Sequence, residues 1–185
     1  MPPDRPSQPR LPRAVALRSG DRVLIRPIRQ QDKALLLDGF RRLTPRSRYR
    51  RFFSPMKELG AREVRYLTEV DHRVHEALVA TDPSGGEGLG VARFIRSDSD
   101  PRSAEVAVAV VDTWQGRGLG TALLEALAAR AREEGVERFT ASVLADNSPM
   151  LELLRGLGDT EVLDREGGVL ELRIELRDSG VPAGL

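Results

Sequence analysis

The sequence predicts an α/β (α+β) protein built on a mixed, mostly antiparallel central sheet flanked by helices, with one parallel strand pair. Three observations carry this expectation. An alternating apolar run (Val106, Val108, Val110) passes through a glycine-rich loop into an amphipathic helix and then into a second strand-like run, Phe139–Leu144. The helix between them is the crossover that parallel neighbours require, so this pair is expected to lie parallel. Before them, Ala77–Ala80, Leu89–Ile95 and Ala104–Val110 are separated by Asp82-Pro83-Ser84-Gly85-Gly86 and Asp98-Ser99-Asp100-Pro101, the turn chemistry of an antiparallel meander. Near the end, Leu170, Leu172, Ile174 and Leu176 alternate with Glu171, Arg173, Glu175 and Arg177. That is a half-exposed strand, expected to pair with Thr160–Leu163 across a loop at Arg165–Gly168.

The remaining elements follow in order. Residues 1–13 hold five prolines and several charges and read as a disordered lead-in, with the folded domain over 14–178 and a tail over 179–185. Val15–Leu17 and Val23–Ile28 around Ser19-Gly20-Asp21 form a hairpin signal. Asp32 is expected to cap a helix with Leu35, Leu36, Phe40 and Leu43 on its buried side. Thr44-Pro45 combines an N-cap with proline at the first helical position, and a third helix is expected from about Ala61 to Glu69 with Val64 and Leu67 inward. In the helix after the glycine loop, Leu123, Leu124, Leu127, Ala128 and Ala131 share one face, and Gly135 sits where a C-terminal cap belongs. Ser148-Pro149 opens a last helix ending near Gly158.

Composition narrows the function classes. The 185 residues are 40% hydrophobic and 31% charged, enough for one domain with a substantial core. A net charge of +1 gives no global field for nucleic acid or an anionic membrane. There is no cysteine, which excludes disulfides, thiolate metal sites and a Cys nucleophile, and His72 and His75 are too few for a histidine-rich metal site. No apolar run approaches the roughly 18 residues of a membrane span and the N-terminus has no signal-peptide core, so the cytoplasm is the expected location.

The loop Gln115-Gly116-Arg117-Gly118-Leu119-Gly120-Thr121 is where chemistry concentrates. Glycines let the chain turn sharply and leave N–H groups bare where a helix begins, and the helix end adds partial positive charge, so the loop suits a phosphate or pyrophosphate. A dinucleotide fingerprint needs G-x-G-x-x-G in an opening βαβ unit with an acid about 20 residues on, and a Walker loop needs Gly-Lys-Ser/Thr. Neither is present.

The segment does resemble the Q/R-x-x-G-x-G/A signature of the GNAT superfamily of N-acetyltransferases. Gln115, Gly118 and Gly120 occupy its fixed positions, and the element order over about residues 15–178 is that of the GNAT fold. The resemblance implies acetyl-CoA as co-substrate, with Val108, Val110, Gln115, Gly116, Arg117, Gly118, Leu119, Gly120 and Thr121 binding it, a strand pair splayed around the acyl-CoA site, and no metal. Asn147 matches the Asn of the family's N-x-x-A-x-x-x-Y-x-x-x-G element, which contacts the pantetheine arm. Met150 replaces its Ala and Leu154 its Tyr, the residue that in many relatives protonates the departing thiolate.

Acetyl transfer to an amine needs a polarised carbonyl and a neutral nucleophile, and a Lys amine of pKa near 10.4 is almost entirely protonated at neutral pH. A general base is therefore useful. Glu105 alternates onto one strand face with Ala107 and Ala109, a face with room beside it, while Val106, Val108 and Val110 fill the other. By pattern alone Glu105 is equally a surface partner of Arg93 or Arg102. The stretch Ala104-Glu105-Val106-Ala107-Val108, together with Ser47-Arg48-Tyr49-x-Arg51-Phe52-Phe53 and Leu67-Thr68-Glu69-Val70-Asp71-His72, resembles bacterial protein-lysine acetyltransferases, whose Glu at this position acts as base. That subgroup often carries a further regulatory or synthetase-like domain, and the expectation here is a stand-alone catalytic domain. His72 could approach Glu105 or the substrate amine, but a lone histidine after a helix favours a structural role. The run Arg41, Arg42, Arg46, Arg48, Arg50, Arg51 could guide an acidic substrate or the 3′-phosphate of CoA, but reads first as a solvated basic face. The implied acceptor is a protein lysine, or otherwise a small amine. Nucleic acid and membrane are not expected partners, a homodimer is left open, and a catalytically idle acyl-CoA sensor is the competing class.

Overall fold

The computed structural model describes residues 11–177; residues 1–10 of the expected lead-in and the whole expected tail over 179–185 lie outside the described residues, while Arg13, placed in the lead-in, opens the first strand. Among the described residues, eight strands form one sheet in the order β1-β2-β3-β4-β5-β6-β8-β7. The strands are β1 (Arg13–Ala16), β2 (Arg22–Pro27), β3 (His75–Thr81), β4 (Gly88–Arg96), β5 (Ser103–Val110), β6 (Arg138–Leu144), β7 (Gly158–Glu166) and β8 (Val169–Leu176). The helices are α1 (Lys33–Arg41), α2 (Pro45–Phe52), α3 (Ala61–Thr68), α4 (Leu119–Glu133) and α5 (Ser148–Leu157). Neighbouring strands are antiparallel except β5 and β6. The expected fold class, including the parallel pair, is the one observed.

The two sheet faces carry different cores. On one, Leu123, Leu124, Leu127, Ala128 and Ala131 of α4 bury against Phe94, Val106, Phe139 and Ala141, and the Phe94 and Phe139 rings pack 6.2 Å apart. On the other, Phe40, Leu43, Leu59, Val64 and Leu67 gather under α1 to α3 with Ala109 against them. The alternation of β5 decides this division, sending Val106 to the first core and Ala109 to the second. Leu35 and Leu36 are only half-buried, because they wall a small apolar hollow of about 60 Å³ rather than closing onto the sheet.

Two local expectations are corrected. Asp32 precedes α1 but makes no side-chain cap to it. Its carboxylate accepts instead from Arg26 Nη1 and Nη2 at 2.7 and 2.8 Å and from the Arg29 N–H at 2.7 Å, a stronger charge-assisted set than one cap bond. The loop expected at Arg165–Gly168 is a bare two-residue turn, with β7 running on to Glu166. Gly167 and Gly168 both have positive φ, 56° and 80°, which lets the tightest hairpin form. The Thr44 cap is as expected, its Oγ1 accepting the Ser47 N–H at 3.3 Å with Pro45 opening α2.

Candidate active site

β5 and β6 pair only at Ser103↔Arg138, Ala104↔Phe139 and Glu105↔Thr140, and beyond Glu105 they part. The opening leads into a cleft of about 470 Å³ floored by Val106–Val110 and walled by the glycine loop, Ser142, Val143, Asn147 and α5. The Val111 N–H donates to Leu89 O on β4, so strand alternation turns the N–H groups of Val108 and Val110 the other way, toward the opening. No strand takes them there.

At the mouth of the cleft, the N–H groups of residues 116 to 121 have no hydrogen-bond partner among the described residues; the first helical bond runs from the Ala122 N–H to Gly118 O. Gly116 and Gly118 reach this arrangement through positive φ, 75° and 93°, conformations that side-chain-bearing residues adopt only at a cost. A Cβ at Gly118 would sit 3.2 Å from Arg18 Nε. Six consecutive free donors on a helix N-terminus make a cradle that fits a pyrophosphate, and the adjoining cleft can take an extended arm.

The predicted residues do not all converge. Val108, Val110, Gln115, Gly116, Gly118, Gly120, Thr121 and Asn147 line the cleft. Arg117 and Leu119 contribute backbone N–H only. The Arg117 guanidinium turns away to Asp21 at 3.2 Å and lies 4.9 Å over the Trp114 ring, and the Leu119 side chain is buried in the core. Gln115 bridges the mouth, its Nε2 donating to Val110 O at 3.0 Å and to Ser47 Oγ at 3.3 Å. Leu154 is fully buried, so the position of the family's Tyr faces the core and carries no acid.

Glu105 is exposed at the inner end of the opening. Neither salt-bridge partner expected by pattern takes it: Arg102 pairs with Glu137, and Arg93 holds Leu67 O and His75. Among the described residues the Glu105 side chain makes no hydrogen bond or salt bridge, and its charge acts on the Arg51 guanidinium. His72 is remote in function from it, its Nδ1 held 2.7 Å from the buried Glu76, which Arg130 also binds.

Sequence reasoning missed two contributors, Arg18 and Asp112. Arg18, in the β1–β2 turn, lines the cleft beside Gly118. Asp112 accepts from the Thr44 N–H, Thr44 Oγ1 and Ser47 Oγ at 3.0, 2.8 and 2.9 Å, tying α2 to the segment that leads into the glycine loop. Burial opposes its charge, but these bonds hold its pKa below the usual value. That tie sets Arg50 and Arg51 against the cleft, so the basic run is only in part a solvated face. Arg42 pairs with Asp38 and Glu87, and Arg48 caps Lys57 O and Arg41 O.

His75 lies on the Glu105 face of the sheet, opposite Ile95. Burial first, and then the neighbouring Arg93, lower its pKa from 6.5 to about 4. Between those values the unfolded chain binds a proton that the folded one does not, so stability falls as pH falls through the window. His75→Gln is expected to flatten that part of the Tm-against-pH curve, with little change above pH 6.5. An unchanged slope would assign the acid loss to other groups.

Comparisons with known proteins agree with this geometry. The Acetyltransferase (GNAT) family matches over residues 41–159. The chain belongs to the GNAT acetyltransferase family. The family uses acetyl-CoA as acetyl donor, and the chain is an acyltransferase of this type. The chain is 37% identical over 159 residues to Acetyltransferase Pat of Mycolicibacterium smegmatis, covering 86% of this chain and 47% of Pat. It thus spans about half the length of that relative. Acetyltransferase PA5475 of Pseudomonas aeruginosa is 31% identical over 145 residues, 77% of each protein. The solved GNAT domain of S. lividans PAT superposes with a TM-score of 0.82 at 35% identity, over 89% of this chain and 96% of that one. A GNAT domain close to the Pat group is therefore established. Among the described residues no helix is long and apolar enough to cross a membrane.

Proposed function

We propose that this enzyme moves the acetyl group of acetyl-CoA directly to a lysine ε-amine on a folded protein, with Glu105 as general base. The observation that carries it is Glu105 itself, a carboxylate with no salt-bridge partner among the described residues, set where β5 and β6 part and beside the open alanine face. The likeness to Pat over 86% of the chain supports the protein acceptor.

In this reading the free N–H groups of residues 116 to 121 hold the pyrophosphate, with Arg18 alongside. Asn147, Val108 and Val110 meet the pantetheine arm, and an outward N–H on β5 polarises the thioester carbonyl. Glu105, directly or through one water, takes a proton from the acceptor ammonium. The neutral amine attacks the carbonyl carbon, the nitrogen gives up its second proton as the C–S bond breaks, and the departing thiolate takes that proton to become the free thiol. A thiol of pKa near 8.5 is a good leaving group, so the transfer tolerates Leu154 where relatives place a Tyr acid.

The acceptor is tested with labelled acetyl-CoA and three pools: native cell lysate, the same lysate denatured, and a panel of small amines. Label on proteins of the native lysate, strongly reduced after denaturation, is the expected result, because the shape of a fold presents the lysine. Label confined to small amines would overturn the protein-acceptor reading and leave the acetyltransferase intact.

A further inference from the structure

The groove facing Glu105 holds more positive charge than the reaction needs. Arg51, in the last turn of α2, lines all three cavities around the site: the cofactor cleft, the apolar hollow beneath α1, and the groove running toward α3. Glu105 lines two of them with it. The Arg51 guanidinium lies 4.8 Å over the Phe52 ring and makes no hydrogen bond or salt bridge among the described residues. Arg26, Arg42, Arg130, Arg138 and Arg173, by contrast, each hold a carboxylate.

Behind it stands Arg93, 5% exposed, on the same sheet face as Glu105, since its partner across β5 is Ala107. Its guanidinium rests on Leu67 O at 3.2 Å and His75 Nε2 at 3.0 Å, again without a carboxylate. Burial pushes the Arg51 pKa down. Burial, and then the Arg51 charge, push Arg93 down to about 9, which still leaves it a cation at neutral pH. His75 is neutral there. The acids lining this groove are Glu105, which must keep an oxygen for the amine proton, and Glu63 on the exposed side of α3.

Two poorly compensated cations side by side are costly unless an anion arrives from outside. The guanidinium fork of Arg51 matches a carboxylate, which it can take through two parallel N–H bonds. We infer that the acceptor carries a carboxylate close to its reacting amine, and that Arg51, backed by Arg93, receives it. The inference rests on the acetyltransferase reading above and names a substrate feature. On a protein the carboxylate is an Asp or Glu beside the target lysine; on a free amino acid it is the α-carboxylate.

The test uses pairs of acceptors differing only in that group. Terminally blocked peptides carry one lysine flanked by Asp or Glu, against the same peptides with Asn or Gln, and free amino acids are set against their amides. In wild type, kcat/KM is expected to favour the carboxylate member by about 10- to 100-fold, the worth of a charge-assisted hydrogen-bond pair. Arg51→Gln should bring the ratio toward one, Arg51→Glu should invert it, and Arg51→Lys should restore part of it. Because Arg51 also neighbours Glu105, its substitutions can lower turnover of every acceptor, so the ratio is the readout. A wild-type ratio near one, a ratio untouched by Arg51→Gln, or no turnover of any carboxylate-bearing amine overturns the inference. Turnover of free amino acids with the expected ratio, and of no lysine peptide, would sustain it while removing the protein-lysine reading.

Discussion

Glu105→Gln is expected to lower turnover at neutral pH by roughly 10²–10⁴ while leaving acetyl-CoA affinity intact. The substitution keeps the size of the side chain and removes the acceptor of the amine proton. Because Glu105 is exposed and bonded to no other described residue, the fold should not register the change. The deficit should shrink as pH rises toward the amine's own pKa, near 10.4 for lysine, where solvent does the deprotonation instead. A uniform loss at all pH values would mean that Glu105 positions the acceptor by charge. Near-normal turnover at neutral pH would remove it from the chemistry.

Gly118→Glu is expected to abolish acetyl-CoA binding. In wild type, acetyl-CoA at a hundredfold over its Kd should stabilise the fold by about 2.7 kcal/mol, read as a raised Tm. The new side chain would start 3.2 Å from Arg18 Nε and set a carboxylate against the expected pyrophosphate position. The backbone at φ 93° adds strain of about 1–2 kcal/mol, so the unliganded variant should melt several degrees lower yet still fold. A variant that folds and keeps the ligand-induced shift would move the pyrophosphate away from this loop.

The glycine-loop half of the candidate site was legible because it is local. A run of glycines between an alternating strand and a periodic helix fixes where bare N–H groups must lie, whatever the rest of the chain does. Glu105 was legible for the same reason, since alternation alone put it on the alanine face. Side chains in that same loop were not legible. Spacing sets the Arg117 backbone, but Asp21 and Trp114, supplied by other segments, decide where its guanidinium goes. Leu154 likewise matches a site position by count, and only packing of α5 on the sheet shows it buried.

The proposed acceptor half is built across long sequence separations. Asp112 captures Thr44 and Ser47 some 65 to 68 residues earlier, which swings Arg50 and Arg51 to the cleft. No periodicity in the arginine run signals this. By pattern Arg93 was only a candidate salt-bridge partner of Glu105, and its place beside Arg51 follows from α2 and α3 closing over β4 and β5. The β7–β8 turn was misjudged for a smaller reason: Gly167-Gly168 alone suffices for the reversal, and the polar residues before it are an exposed strand.

A crystal structure with a non-hydrolysable acetyl-CoA analogue tests the account most directly. The pyrophosphate should accept hydrogen bonds from N–H groups within residues 116 to 121 at about 2.7–3.2 Å. The pantetheine arm should pass between β5 and β6, with the acyl carbonyl facing an outward N–H of β5 and the Glu105 carboxylate within one water of the acceptor side. A pyrophosphate bound elsewhere, or an acyl group delivered to the α4 face away from Glu105, would contradict it.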